Sequence, residues 1–149
     1  MGVIRDIDKL KPELARRTRL FLSKAKEAGL QLTVVETLRM PETQKAYYAQ
    51  GRSNLETVNE LRIAAGLPLI NAKENSRIVT KTLQSRHFGG NAVDIAPVKN
   101  GRVWWTAPQE VWEKMGALGE VCGLDWCAGG RSQVWGKGWD NPHFELMKE

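Results

Sequence analysis

This chain of 149 residues has two histidines, and they lie far apart, at His87 and His143. Each keeps a carboxylate close. His87 stands in the run Ser85-Arg86-His87-Phe88-Gly89-Gly90-Asn91-Ala92-Val93-Asp94, and His143 closes Asp140-Asn141-Pro142-His143. If these residues act together, the fold must carry two remote segments to one place, which limits the architectures open to the chain. Two neutral imidazoles and one carboxylate form a three-ligand set that leaves a fourth position on zinc open for water. A second carboxylate beside such a set is placed to take a proton from that water. The pattern points to a zinc hydrolase. Two structural histidines and two surface aspartates would show the same residue types, and spacing alone leaves that alternative standing.

Local signals say how each segment is presented. Six residues separate His87 from Asp94, too many for an i, i+4 helical pair. They fit a loop that turns at Gly89-Gly90 into a strand over Ala92 to Ala96, bounded by Pro97, with Asp94 on it. The glycines would let the backbone pass close to the metal. Pro142 pushes Asn141 towards an extended shape, so His143 enters a strand that Phe144-Glu145-Leu146 continues.

Elsewhere the chain alternates helices and short strands. Pro12 to Ala28 reads as a helix whose buried face is Leu10, Leu14, Phe21, Ala25 and Ala28. Leu32 to Thr37 is a short, β-branched, buried strand with Arg39 just beyond it. Pro41 opens a helix over Glu42 to Gln50, which Gly51 closes. An arginine at such a junction can point into a site or simply face solvent. Asn54 to Ala65 has helical character, Gly66-Leu67-Pro68 breaks it, and Asn71 to Asn75 reads as polar loop. Arg77 to Thr82 reads as a strand leading into the histidine motif. Asn100-Gly101 signals a hairpin into Val103-Trp104-Trp105. Thr106 caps a helix with Pro108 in its first turn and Val111, Met115, Leu118 and Cys122 on its buried face. Gly129-Gly130 and Gly136-Lys137-Gly138 read as turns. The class is α+β, with a small, mainly antiparallel sheet and packed helices, in a single domain over 1–149 with 53–75 as a surface excursion.

The formal charge of +5 favours an anionic partner: nucleic acid, a lipid surface or an acidic wall polymer. No run of about 18 apolar residues exists, so stable membrane insertion is not expected. The start lacks a signal-peptide pattern, so the expected site of synthesis is the cytoplasm. Cys122 and Cys127 make no disulfide framework; Cys122 reads as a buried apolar helix residue and Cys127 as a small residue in a turn.

Ser85-x-His87-x-x-Gly90-x-Ala92-x-Asp94 followed by Asp140-x-x-His143 resembles the zinc D-alanyl-D-alanine carboxypeptidase and L-alanyl-D-glutamate endopeptidase family, whose members cut peptidoglycan stem peptides. Thr37-Leu38-Arg39 with Gln44, and Tyr48-Ala49-Gln50-Gly51-Arg52, resemble the family's arginine-and-glutamine segment. The resemblance implies a Hedgehog/DD-peptidase-like fold, Zn2+ as cofactor, and His87, Asp94 and His143 as its ligands. It implies Asp140 as catalytic base, Arg39 as binder of substrate or developing oxyanion, and Ser85 as a substrate contact; Gln44 and Trp139 join as candidate substrate-binding residues. Trp135 and Trp139 are the better groove candidates among six tryptophans, the others being read mostly as core. Aspartate at the base position is similar to the phage endolysin branch, which cuts between L-Ala and D-Glu. Gly123-Leu124-Asp125-Trp126-Cys127 resembles a family pattern with Cys127 where glycine is usual. The implied protein is a monomeric endolysin acting on bacterial peptidoglycan, not on nucleic acid, made in the host cytoplasm and released through a holin. A D-alanyl-D-alanine carboxypeptidase and a non-catalytic wall-binding module are the rivals.

Overall fold

The computed structural model describes residues 3–80, 83, 87–129 and 141–147. Its frame is an antiparallel sheet built from β1 (Leu32–Glu36), β2 (Ala92–Lys99), β3 (Arg102–Val103), β4 (Leu124–Trp126) and β5 (His143–Leu146). The strand order is β1-β2-β5-β4, with β3 paired to the far end of β2. The last strand in sequence is therefore a central one in space. That insertion sets Asp94 directly opposite His143, and it unites the two remote segments. Helices α1 (Pro12–Glu27), α2 (Pro41–Ala49), α3 (Leu55–Ala64), α4 (Ala72–Asn75) and α5 (Gln109–Val121) complete the expected α+β class.

Alternation along the strands divides the sheet into two faces. Val93, Ile95, Leu124 and Phe144 form the apolar face and pack on Leu14, Ala15 and Phe21 of α1 and on Trp112 and Met115 of α5. The Phe21 and Phe144 rings meet at 5.1 Å. In α1 the buried positions are Leu14, Ala15, Thr18, Phe21 and Ala25. Ala28, expected inside, is exposed because the helix has already ended at Glu27.

In α5 the expected face is rotated. Trp112, Met115, Gly116 and Gly119 are buried, whereas Val111 and Leu118 are only partly so. Two glycines cause the rotation. A Cβ on Gly116 would lie 2.1 Å from the Trp126 ring, and one on Gly119 would lie 2.6 Å from Phe144. The helix settles onto the sheet along the line where it lacks side chains, which a count of apolar residues does not register. Thr106 is not its cap: Pro108 holds that position and no side chain caps the end.

Three further expectations change. Pro97 does not end β2, which runs on to Lys99. The Ile95 N–H donates towards β5, to Pro142, at 2.9 Å. Pro97 turns the same edge beyond β5, where its carbonyl accepts from the Trp104 N–H at 2.8 Å; having no N–H to return, it marks where the β2–β3 pairing stops. Arg77 to Thr80 form no strand; Ile78 and Val79 are half exposed, and Thr80 instead anchors side chains from α2 and beyond. Asn71 to Asn75 is not loop, because Asn71 and Glu74 form a reciprocal capping box that nucleates α4. Lys81 and Thr82, Gly130, and the 136–138 turn lie outside the described residues. No helix among the described residues is long and apolar enough to cross a membrane.

A bulge in β1 decides which side chains reach the polar face. Val34 pairs with Ile95 and Glu36 with Asp94, so Val35 is the extra residue. Its carbonyl accepts from Arg5 Nε at 3.2 Å. Were Val35 paired regularly opposite Asp94 instead of bulged, the alternation would turn Glu36 towards the apolar core. With it, Glu36, Asp94 and His143 form a row across three adjacent strands.

Candidate metal centre

His87 reaches the row from a tight loop. The turn Phe88–Gly90 follows it, and Gly90 at φ +77° lies against the N-terminal segment, where a Cβ would stand 2.5 Å from the Lys9 carbonyl. The Lys11 N–H donates to the Gly90 carbonyl at 3.0 Å. The expected close approach of this glycine is therefore to the chain at Lys9 and Leu10, because that contact locks the loop in place. On the other side, the Arg39 N–H donates to the His87 carbonyl at 3.2 Å.

The turn before His143 is held equally firmly. Trp126 Nε1 donates to the Asn141 carbonyl at 2.7 Å, and Asn141 Nδ2 donates to Gln109 Oε1 at 3.2 Å. Trp126 is thus a positioning residue that sequence reading placed only in the core; its indole N–H needs a partner when buried, which was the available signal.

The three side chains converge. His87 Nε2 lies 3.3 Å and His143 Nδ1 3.2 Å from Asp94 Oδ1. The rings meet edge to face at 5.2 Å. Both histidines are nearly fully buried, and candidate ligand atoms of all three residues lie within 4.8 Å of one another.

The outer nitrogens decide what this cluster wants. His87 Nδ1 lies 3.4 Å from the Thr37 carbonyl, which can only accept, so the proton sits on Nδ1. His143 Nε2 lies 2.8 Å from Glu145 Oε2, which likewise accepts, so the proton sits on Nε2. Each ring then turns a bare nitrogen inward. Asp94 Oδ1 is buried and has no hydrogen-bond partner among the described residues. Two ring nitrogens and a carboxylate oxygen thus face one small space. Two imidazole nitrogens and a carboxylate oxygen are the donor set zinc accepts, and the residues fit that ion.

Arg39 lies beside this cluster. Its Nε and Nη2 donate to Glu36, and Nη1 donates to Gln44 Oε1 at 2.8 Å. Its guanidinium lies over Tyr47 at 4.9 Å. Burial would lower the Arg39 pKa, but the Glu36 carboxylate outweighs it and the net shift is upward, so the cation is permanent. Gln44 is buried, with its amide bonded to Arg39 and, at 3.3 Å, to Thr80 Oγ1. It stands behind Arg39. Glu36 was missed by sequence reading because nothing local announces a bulge. Ser85, Asp140, Trp135 and Trp139 lie outside the described residues. Trp112 and Trp126 are core, while Trp105 is 54% exposed and stacks on Trp112. Cys122 and Cys127 are both buried.

Residues 79–146 match the family described as D-alanyl-D-alanine carboxypeptidase. Several solved structures share the fold. The L-Ala D-Glu endopeptidase ChiX of Serratia marcescens superposes with a TM-score of 0.59 at 22% identity, over 99% of this chain and 90% of that one. The LD-carboxypeptidase LdcB gives 0.59 at 18% identity, over 93% of this chain and 59% of that one. The vancomycin-resistance D,D-pentapeptidase VanY, in complex with Zn(II), gives 0.57 at 14% identity, over 93% of this chain and 73% of that one.

Proposed function

We propose that this chain, whose residues 79–146 match the D-alanyl-D-alanine carboxypeptidase family, is a zinc metallopeptidase acting on peptidoglycan, an endolysin cutting the L-Ala–D-Glu bond of the stem peptide. One observation carries the reading: ring nitrogens of His87 and His143 meet the same oxygen of Asp94, at 3.3 and 3.2 Å, in a buried space. Zinc held by these three residues would supply Lewis acidity at the peptide carbonyl and would acidify water there.

This chain's own residues do the rest. Asp140 takes the proton of the attacking water as its oxygen bonds to the carbonyl carbon, then delivers that proton to the amine as the C–N bond breaks. Three of the five guanidinium N–H groups of Arg39 are engaged by Glu36 and Gln44, which leaves two for an oxyanion or a substrate carboxylate. Glu36 and Gln44 hold that cation in one orientation. Ser85 and Trp139 contact the substrate. The aspartate at position 140 and the near-complete mutual coverage with an L-Ala D-Glu endopeptidase favour the endopeptidase bond. The protein works as a monomer, is made in the host cytoplasm and reaches the wall through a holin.

Digestion of purified peptidoglycan followed by mass spectrometry of the new termini tests the bond. New amino-terminal D-Glu is expected. Release of free D-Ala would replace the proposal with a D-alanyl-D-alanine carboxypeptidase. Asp140→Ala should lower turnover about 100- to 10,000-fold with zinc still bound, which tests the base.

A further inference from the structure

His143 belongs to two clusters at once. Its Nδ1 faces Asp94 and His87, and its Nε2 faces Glu145 with Cys127 close by; Cys127, His143 and Glu145 also offer three ligand atoms within 4.8 Å of one another. A neutral imidazole has one lone pair on its ring nitrogens and so serves one cation. Something must choose the side.

We infer that Glu145 is the positioning residue that makes this choice, holding His143 as the Nε2–H tautomer so that Nδ1 alone is presented to the metal. Residues 143 and 145 are two apart on β5 and so lie on one face of the sheet. Glu145 is flanked by Ala92 on one neighbouring strand and Asp125 on the other, which pins its backbone. Its side chain is 16% exposed and that of His143 4%, so water competes little for their 2.8 Å bond. A carboxylate accepts and does not donate, so the bond fixes where the proton sits. It also makes the opposite nitrogen a better donor to a cation. The thiol of Cys127, 4.0 Å from the same Oε2, adds a weak donor and keeps the carboxylate turned inward. The two histidines are therefore held unequally: His87 leans on a neutral carbonyl at 3.4 Å, His143 on an anion at 2.8 Å.

This inference rests on the proposed ligand set, and its test separates the two. Zinc affinity is measured by chelator competition for the wild type, His87→Ala, Glu145→Ala and Glu145→Gln. Long-range proton–nitrogen NMR of the zinc-free protein reports the His143 tautomer. Glu145→Ala should weaken zinc about 10- to 100-fold and turn a single Nε2–H tautomer into a mixture. Glu145→Gln, which keeps an acceptor of the same size, should restore the tautomer and part of the affinity. Unchanged affinity and tautomer in Glu145→Ala, with zinc lost in His87→Ala, would overturn the role of Glu145 and leave the ligand set intact. Zinc affinity indifferent to His87→Ala would overturn the set itself. A second zinc per chain that disappears in Cys127→Ser would show that Nε2 serves a metal, and would also overturn the inference.

Discussion

The two sides of this molecule are held together by different physics. Beneath the sheet, large apolar side chains such as Phe21, Ile95, Met115, Leu124 and Phe144 are fully buried. Between residues 41 and 80 the apolar cluster is small, with Ala46, Ala65 and Leu67 at its centre. There the chain is latched by side chains bonded to backbone. Asn59 exchanges two bonds with Ile70, at 3.1 and 3.0 Å. Arg62 donates to the Pro68 carbonyl at 2.6 Å, and Gln50 donates to the Glu74 carbonyl at 2.9 Å. Close packing fixes atoms to within fractions of an ångström, whereas a web of polar latches opens locally at lower cost. The candidate ligands His87, Asp94 and His143 stand on the packed side, and Arg39 and Gln44 stand at the border of the latched side.

Substitutions can test that division. His143→Ala should have the greatest effect: zinc content falls towards none and peptidase activity disappears, as metal analysis of the purified protein would show. Phe144→Ala, on the opposite face of the same strand, should cost about 3–5 kcal/mol in urea unfolding. Arg39→Ala should slow cleavage about 100- to 1,000-fold while zinc stays bound, since it removes charge stabilisation and no ligand. Arg62→Ala strands the Pro68 carbonyl and should cost about 1–3 kcal/mol. That loss should appear as faster amide exchange between residues 50 and 75, with zinc affinity unchanged. Loss of zinc in Arg62→Ala would mean that the two sides are one cooperative unit.

The same division explains what could be read from the letters. On the packed side, apolar alternation and helical spacing mark β1, β5 and α1 to within a residue or two and the start of β2, and the convergence of His87, Asp94 and His143 follows from two short motifs. The rotated face of α5 escaped because it is defined by Gly116 and Gly119, where the signal is missing volume. On the latched side, Asn59, Arg62 and Asn71 look like ordinary surface residues; their partners are main-chain atoms, which leave no periodicity in a sequence. Arg77 to Thr80 has strand composition but no neighbouring strand to pair with. At the site, the partners of the histidines were equally hidden, since Thr37 contributes only a carbonyl and Glu145 looked like the outward residue of a terminal strand.

The extra residue at Val35 has a consequence of its own. It acts as a reading frame for the first strand: every side chain after it faces the way it does because the count is odd by one. A strand that paired residue 35 in the regular way would swing an acid into the oily interior and leave the guanidinium of residue 39 without its anchor, whereas deleting residue 35 keeps the acid on its present side and only irons out the bulge.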